Sequence, residues 1–366
     1  MRLILLLSTA LASLLPAGAG AQSPVPGSTL PEICAALPVK DACDVIAEAA
    51  RTLAPSYETD KKNAGEDAFR KLGYNVTYIP ARHGWLQGTT DVFLASRPGS
   101  NRLFIVITGT ESVRDWAENA KFGSYTNRYK DGQFYVPPGH AGFRRGMLNV
   151  VNDDVIRINE FDTNPLDCAG EARKRSRLSR HICEYGLPRS KGGIEAVLVG
   201  HSRGAGVAMI MATAFSGLEI VRPDDNGPVK VRRQNYWPLS LNAVITFAPP
   251  YAIYRRTDRE AGLTVPEGLP DQWEILEQEG IPQKTISFVN EQDIVPLLSL
   301  GLGRQLGHRF RIARSGAVTY EGRDWGPDSD LKRAHSSHYY CGDVLAALGQ
   351  TGRCPEAPEP LSGESP

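Results

Sequence analysis

A serine flanked by glycines stands between two apolar runs. Gly200-His201-Ser202-Arg203-Gly204 follows Ala196-Val197-Leu198-Val199 and precedes Ala205-Gly206-Val207-Ala208-Met209-Ile210. This order predicts a strand, a sharp turn and a helix, with Ser202 at the turn. A serine hydroxyl is a weak nucleophile until it is held exposed beside a base. The glycines let the backbone take a strained turn and let strand and helix approach closely. The chemistry implied is attack on an acyl carbonyl, which also needs a histidine to take the serine proton and a carboxylate to orient that histidine. In a long, glycine-rich chain the five-residue pattern is weak by itself, so its partners must come from elsewhere in the sequence.

The search for partners runs downstream, in the order serine, acid, histidine. Asp293 is the leading acid: it follows the apolar stretch Ile286-Ser287-Phe288-Val289 and precedes Ile294-Val295-Pro296, at the C-terminal end of a buried strand. Glu291 is its nearest rival. Of the seven histidines, His308, His335 and His338 lie beyond Asp293. His308 opens a strand-like run, whereas His335 and His338 share Ala334-His335-Ser336-Ser337-His338-Tyr339-Tyr340. His335 is the expected base and His338 the alternative. The His-x-x-His spacing lacks an evident third ligand, so no metal and no cofactor are expected.

These residues need a scaffold of alternating elements. Residues 44–53 and 65–72 read as helices, and 143–161 as a helix with apolar residues every four positions. Residues 75–79, 91–95, 103–107, 196–199, 243–247 and 285–289 read as strands, several of them continuous apolar runs of the kind buried on both faces. The expected class is α/β, a mostly parallel sheet with helices on both faces. Three polar, Gly/Pro-rich stretches, about 162–193, 222–239 and 251–283, read as insertions, either solvated loops or a substrate-selecting rim.

Six segments in order resemble the class 3 lipase family, which includes fungal triacylglycerol lipases. Ile105-Val106-Ile107-Thr108-Gly109-Thr110-Glu111-Ser112-Val113-Arg114-Asp115-Trp116 resembles F-R-G-T/S-x-S-x-x-D-W, and His140-Ala141-Gly142-Phe143 resembles H-x-G-F. Gly200 to Ala205 resembles G-H-S-L-G-G, and Thr246-Phe247-Ala248-Pro249-Pro250 resembles T-F-G-A-P. Val289 to Pro296 resembles V-N-x-x-D-x-V-P, and His335 to Tyr340 is similar to the ending that carries the family's histidine.

The resemblance implies an α/β-hydrolase fold and a serine carboxylester hydrolase with the triad Ser202, Asp293 and His335. It also implies an oxyanion hole from the backbone N–H groups of Thr110 and Arg203, and a lid near Ser112 to Phe122, whose apolar face would cover an acyl pocket or meet lipid transiently. The chain departs from the pattern in three places: Thr108 stands for the usual arginine, Arg203 for the usual Leu or Gln, and the glycine of T-F-G-A-P is missing, since Phe247 runs directly into Ala248. The Arg203 guanidinium reads either as an attractor of an anionic substrate group or as a structural cation behind the site.

Composition sets the compartment and the partners. The 366 residues carry 41 basic and 41 acidic side chains, a balance that argues against a general nucleic-acid binder. Arg2, the apolar run Leu3 to Leu15 and Ala19-Gly20-Ala21 read as a signal peptide over 1–21, so the protein is expected to be secreted or periplasmic, without a transmembrane segment. Residues 22–33 read as an extended lead-in, 34–354 as a single α/β-hydrolase domain and 355–366 as a disordered tail. The six cysteines suggest Cys34–Cys43, Cys168–Cys183 and Cys341–Cys354, each closing a short loop. The expected substrate is a lipid or other carboxylic ester. Phospholipids and aromatic or polymeric esters stand as alternatives, and a non-catalytic binding protein or an envelope interaction protein as the readings from other classes.

Overall fold

The apolar runs of the sequence become neighbours in one sheet in a computed structural model of the protein. The structure describes residues 27–58, 60–80, 90–109, 140, 142–144, 146–147, 177–184, 193–213, 218–221, 230–233, 239–250, 252–253, 269–291, 293, 306–313, 315, 317–320, 337–350 and 354. The strands are β1 (Asn75–Ile79), β2 (Val92–Ser96), β3 (Arg102–Ile107), β4 (Ile194–His201), β5 (Leu218–Val221), β6 (Lys230–Arg233), β7 (Leu239–Phe247), β8 (Thr285–Asn290), β9 (His308–Ile312) and β10 (Val318–Tyr320). Eight of them form a sheet in the order β1-β2-β3-β4-β7-β8-β9-β10, while β5 and β6 pair separately. β3, β4, β7, β8 and β9 run parallel, and antiparallel strands close both edges.

Alternation of side chains divides the core between two faces. Along β3, Leu103, Ile105 and Ile107 join one apolar cluster, and Phe104 and Val106 join the other. The first face is covered by helix α5 (Arg203–Ala212), through Val207, Ile210 and Met211, and by Leu178 and Ile182 of α4 (Arg177–Glu184). The second is covered by α1 (Leu30–Cys34), α2 (Ala42–Leu53) and α8 (Ser337–Ala347), of which α2 and α8 pack against each other. Phe247, Phe288 and Phe310 stack across three adjacent strands on this second face, with ring centroids 5.3 Å apart at each step. Helices on both faces of a mostly parallel sheet meet the expectation from the sequence.

Three local expectations need correction. The lead-in is helical rather than extended from Leu30: Thr29 and Glu32 form a capping box, and Leu30 and Ile33 are buried. The stretch 251–283 is not all loop, because α6 (Gln272–Gln278) starts at an Asp271/Glu274 capping box and buries Ile275 and Leu276, while α7 (Ile281–Lys284) buries Ile281. The stretch 162–193 likewise contains a helix, α4, whose Leu178 and Ile182 lie one turn apart in the core. Helix α3 (Glu66–Lys71) and the six predicted strands fall within a few residues of the predicted bounds, whereas β5, β6 and β10 have no predicted counterpart.

Cys34–Cys43 joins α1 to α2, with Cα atoms 5.3 Å apart, and Cys341–Cys354 ties α8 to the segment after it, with Cα atoms 6.1 Å apart. Cys168 and the predicted signal peptide and tail lie outside the described residues, as does most of the helix expected over 143–161. Among the described residues no helix is long and apolar enough to cross a membrane.

Candidate active site

Ser202 stands at the end of β4 and at the start of α5, with φ 57° and ψ −129°. This backbone conformation is strained for a residue with a Cβ, and it persists only where the surroundings impose it. The surroundings here are tight. A Cβ on Gly200 would meet the Gly204 carbonyl at 2.5 Å and Ala205 Cα at 2.6 Å; one on Gly204 would meet the Ile107 carbonyl at 2.2 Å. Glycine at both positions is therefore a steric requirement of the turn. The Ser202 amide donates to the Phe247 carbonyl at 2.9 Å, and the Ser202 carbonyl accepts from the Ala205 amide at 3.0 Å, which starts the helix. The N-terminal end of α5, with its partial positive charge, thus begins at Ser202.

The end of β3 lies beside this turn. Thr108, where the resembled family carries arginine, is fully buried, and its hydroxyl bonds with the amide and carbonyl of Asp91 at 3.1 and 3.3 Å. Gly109 approaches the elbow so closely that a Cβ there would lie 2.8 Å from the His201 carbonyl and 3.0 Å from Ser202 Cβ. The Gly109 amide donates to the Tyr57 hydroxyl at 2.9 Å, and the same hydroxyl shares a hydrogen bond of 2.8 Å with His201 Nδ1. Ala248 takes φ 49°, a left-handed conformation that costs about 1–2 kcal/mol for a residue with a Cβ.

On the other side of the turn, Asp293 is 1 % exposed and follows β8. Its Oδ2 accepts from the Tyr340 hydroxyl at 2.8 Å, and that hydroxyl accepts from the Asn290 amide at 2.9 Å. Burial, and then the neighbouring Asp293 carboxylate, push the Tyr340 phenol well above its ordinary pKa, so it remains a donor. The rival acid, Glu291, is paired instead with Arg311, at 2.7 Å to Nη2 and 3.2 Å to Nε. The His201 ring stands edge-on between Tyr57 and Tyr340, with centroids 5.3 and 5.7 Å away.

Arg203 is 2 % exposed, so its guanidinium is a buried cation. It lies near the segment that carries His140, Phe143 and Gly146; a Cβ on Gly146 would lie 3.5 Å from Arg203 Nη2. Burial, helped by the Arg203 charge, lowers the His140 pKa to about 4. The neutral His140 ring stacks on Phe143 at 4.1 Å, and its Nδ1 accepts from the amides of Gly142 and Phe143 at 3.1 and 3.4 Å. The H-x-G-F block thus caps its own helical segment.

The structure brings Ser202, Arg203 and Asp293 to the C-terminal edge of the parallel strands, where open α/β sheets place their sites. Thr110, His335 and the lid stretch 112–122 lie outside the described residues; His338 falls in the first turn of α8. Tyr340 was legible only as part of a motif, without a role. Tyr57 lies in none of the motifs and carried no signal of its own.

The sequence model of the family described as Lipase (class 3) matches residues 104–302, more than half of the chain. Solved structures with a similar fold include the Rhizomucor miehei lipase–propeptide complex, at 16% identity, covering 90% of this chain and 84% of that one, with a TM-score of 0.45. A variant of MDLA from Penicillium cyclopium has 18% identity, coverage of 83% and 97%, and a TM-score of 0.47. Lipase II from Rhizopus niveus has 15% identity, coverage of 84% and 91%, and a TM-score of 0.44. No curated protein sequence matches the chain.

Proposed function

The chain belongs to the class 3 lipase family and is a serine ester hydrolase, and from that premise we propose that it is an exported enzyme that cleaves lipid or other carboxylic esters through Ser202, His335 and Asp293. The observation that carries the reading is the strained Ser202 backbone, φ 57° and ψ −129°, at a strand–helix junction packed too tightly for any residue but glycine at 200 and 204.

In this reading Ser202 Oγ attacks the ester carbonyl as its proton passes to His335. Asp293 holds the imidazole in the orientation that accepts the proton and stabilises the resulting imidazolium. The carbonyl oxygen becomes negative and is met by the N–H groups of Thr110 and Arg203, the second of them at the positive end of α5. The imidazolium then protonates the leaving alkoxide, which departs as the alcohol and leaves an acyl-enzyme. Water, deprotonated by the same histidine, attacks the acyl carbon and releases the acid, and Ser202 recovers its proton.

Asp293 suits its role because it is buried, keeps a tyrosine donor on Oδ2 and lies beside the helix that begins two residues after His335. Export fits the signal-like residues 1–21 and the Cys34–Cys43 and Cys341–Cys354 bonds. Residues 112–122 are the segment assigned to cover the acyl cleft and to meet a lipid surface.

Hydrolysis of p-nitrophenyl esters of graded chain length, with and without micelles, tests the proposal. The wild type should turn over and Ser202→Ala should lose at least about a thousandfold in kcat. Undiminished turnover by Ser202→Ala would overturn the assignment.

A further inference from the structure

We propose that Tyr57 is a positioning residue whose hydroxyl ties the Gly109 amide to His201 and so sets where the Thr110 N–H stands relative to Ser202. The inference rests on the ester-hydrolase reading of the site. It concerns a residue outside the matched span 104–302 and outside every block that carries the family resemblance.

Tyr57 ends a short 3₁₀ turn, Pro55–Tyr57, that directly continues α2. The mount is firm: α2 packs on α8 and on the sheet, and the Ser56 hydroxyl donates to the Leu53 carbonyl at 2.6 Å. From this mount one oxygen reaches two partners, Gly109 N at 2.9 Å and His201 Nδ1 at 2.8 Å. A phenol can donate once and accept twice, so the bridge holds for either tautomer of His201.

The bridge spans the place where small errors matter most. Gly109 is in contact with the elbow, and the peptide that leaves it supplies the proposed oxyanion donor at 110. Rotation of that peptide would redirect the donor, and donation to a developing oxyanion weakens steeply with distance and angle. On the opposite side the turn is tied to Asp91 by the Thr108 hydroxyl, where the resembled family has an arginine. Thr108 thus fixes the turn to the neighbouring strand, and Tyr57 fixes it to the elbow. His201, the residue before the nucleophile, is in edge-on contact with Tyr340 as well, whose hydroxyl holds Asp293. One imidazole therefore stands between the hydroxyl on the oxyanion side and the hydroxyl on the acid side.

Tyr57→Phe removes one oxygen and keeps the ring against His201. The measurements are kcat and KM for p-nitrophenyl butyrate, the inhibition constant of a trifluoromethyl ketone, and Tm. We expect kcat to fall roughly 10- to 100-fold at a KM within about twofold of wild type. The ketone, whose hemiketal oxygen needs the same donors, should weaken by a similar factor, with Tm lowered by only a few degrees. A lower Tm with unchanged kcat and ketone affinity would make Tyr57 merely structural and overturn the proposal. His201→Phe removes the anchor of the hydroxyl and is the second variant. It should lower kcat and ketone affinity together, and the double variant should lose no more than Tyr57→Phe alone. Should Tyr57→Phe not fold, His201→Phe decides: unchanged ketone affinity there overturns the bridge. Wild-type protein whose Ser202 resists a fluorophosphonate would instead sink the hydrolase reading. A reactive wild type with an unimpaired Tyr57→Phe variant would sink this inference alone.

Discussion

The Tyr340 hydroxyl donates to Asp293 Oδ2 at 2.8 Å while it accepts from the Asn290 amide at 2.9 Å. One buried oxygen thereby joins α8 to the segment that leaves β8 and holds the proposed catalytic acid from the side of the following helix. Burial and the carboxylate keep the phenol protonated, so it remains a donor to Asp293.

Tyr340→Phe should therefore affect both stability and rate. It removes a charge-assisted hydrogen bond and takes the acceptor from a buried amide, a loss of about 2–4 kcal/mol in urea unfolding. With Asp293 less firmly oriented, kcat should fall by about tenfold or more at a nearly constant KM. An unchanged kcat would mean that Asp293 is held without Tyr340.

Two glycines in helices should respond oppositely to alanine. Gly204→Ala places a methyl group 2.2 Å from the Ile107 carbonyl, a backbone atom that cannot yield without moving β3. It should cost at least about 3 kcal/mol and abolish turnover. Gly342 is exposed in α8, and its added Cβ meets nothing within 4 Å, so Gly342→Ala should stabilise by about 0.5–1 kcal/mol without changing kcat. Paired urea titrations check both.

His140 gives the fold a pH dependence of defined sign. Its pKa is about 4 in the folded protein against an ordinary 6.5, because burial and Arg203 disfavour its charge. The unfolded chain binds the proton more tightly, so stability is complete above about pH 6.5 and is lost as the pH falls towards 4 and below, by on the order of 3 kcal/mol. His140→Asn keeps an acceptor for the Gly142 and Phe143 amides. It should flatten the wild-type slope between pH 6.5 and 4, read as the difference between the two Tm profiles.

The base assignment is tested by comparing two neighbouring histidines. His335→Ala should abolish p-nitrophenyl ester hydrolysis, whereas His338→Ala should keep most of it. The reverse pattern would move the base to His338.

How far the sequence could be read depended on the kind of signal. β3, β4 and β8 were legible because strands buried on both faces must be continuous apolar runs, and Asp293 because an acid after such a strand falls at the edge where sites form. Helix α6 was not, since seven residues give too few turns for a period to stand out among Gln and Glu. The burial of Arg203 ran against the ordinary exposure of arginine, so the sequence left its two roles open. The Tyr57–His201 contact joins residues 144 positions apart through one hydroxyl, and no local pattern encodes such a pair. Thr108 was visible as a departure from the family block, but its use, satisfying Asp91, needed the strand register.

The central claim is that Ser202 is an activated nucleophile. Intact protein is treated with a fluorophosphonate, and the modified peptide is identified by mass spectrometry. The account predicts one adduct, on Ser202, formed rapidly in wild type and much more slowly in Asp293→Asn. Folded wild-type protein that remains unmodified, or carries its adduct on another serine, would contradict it.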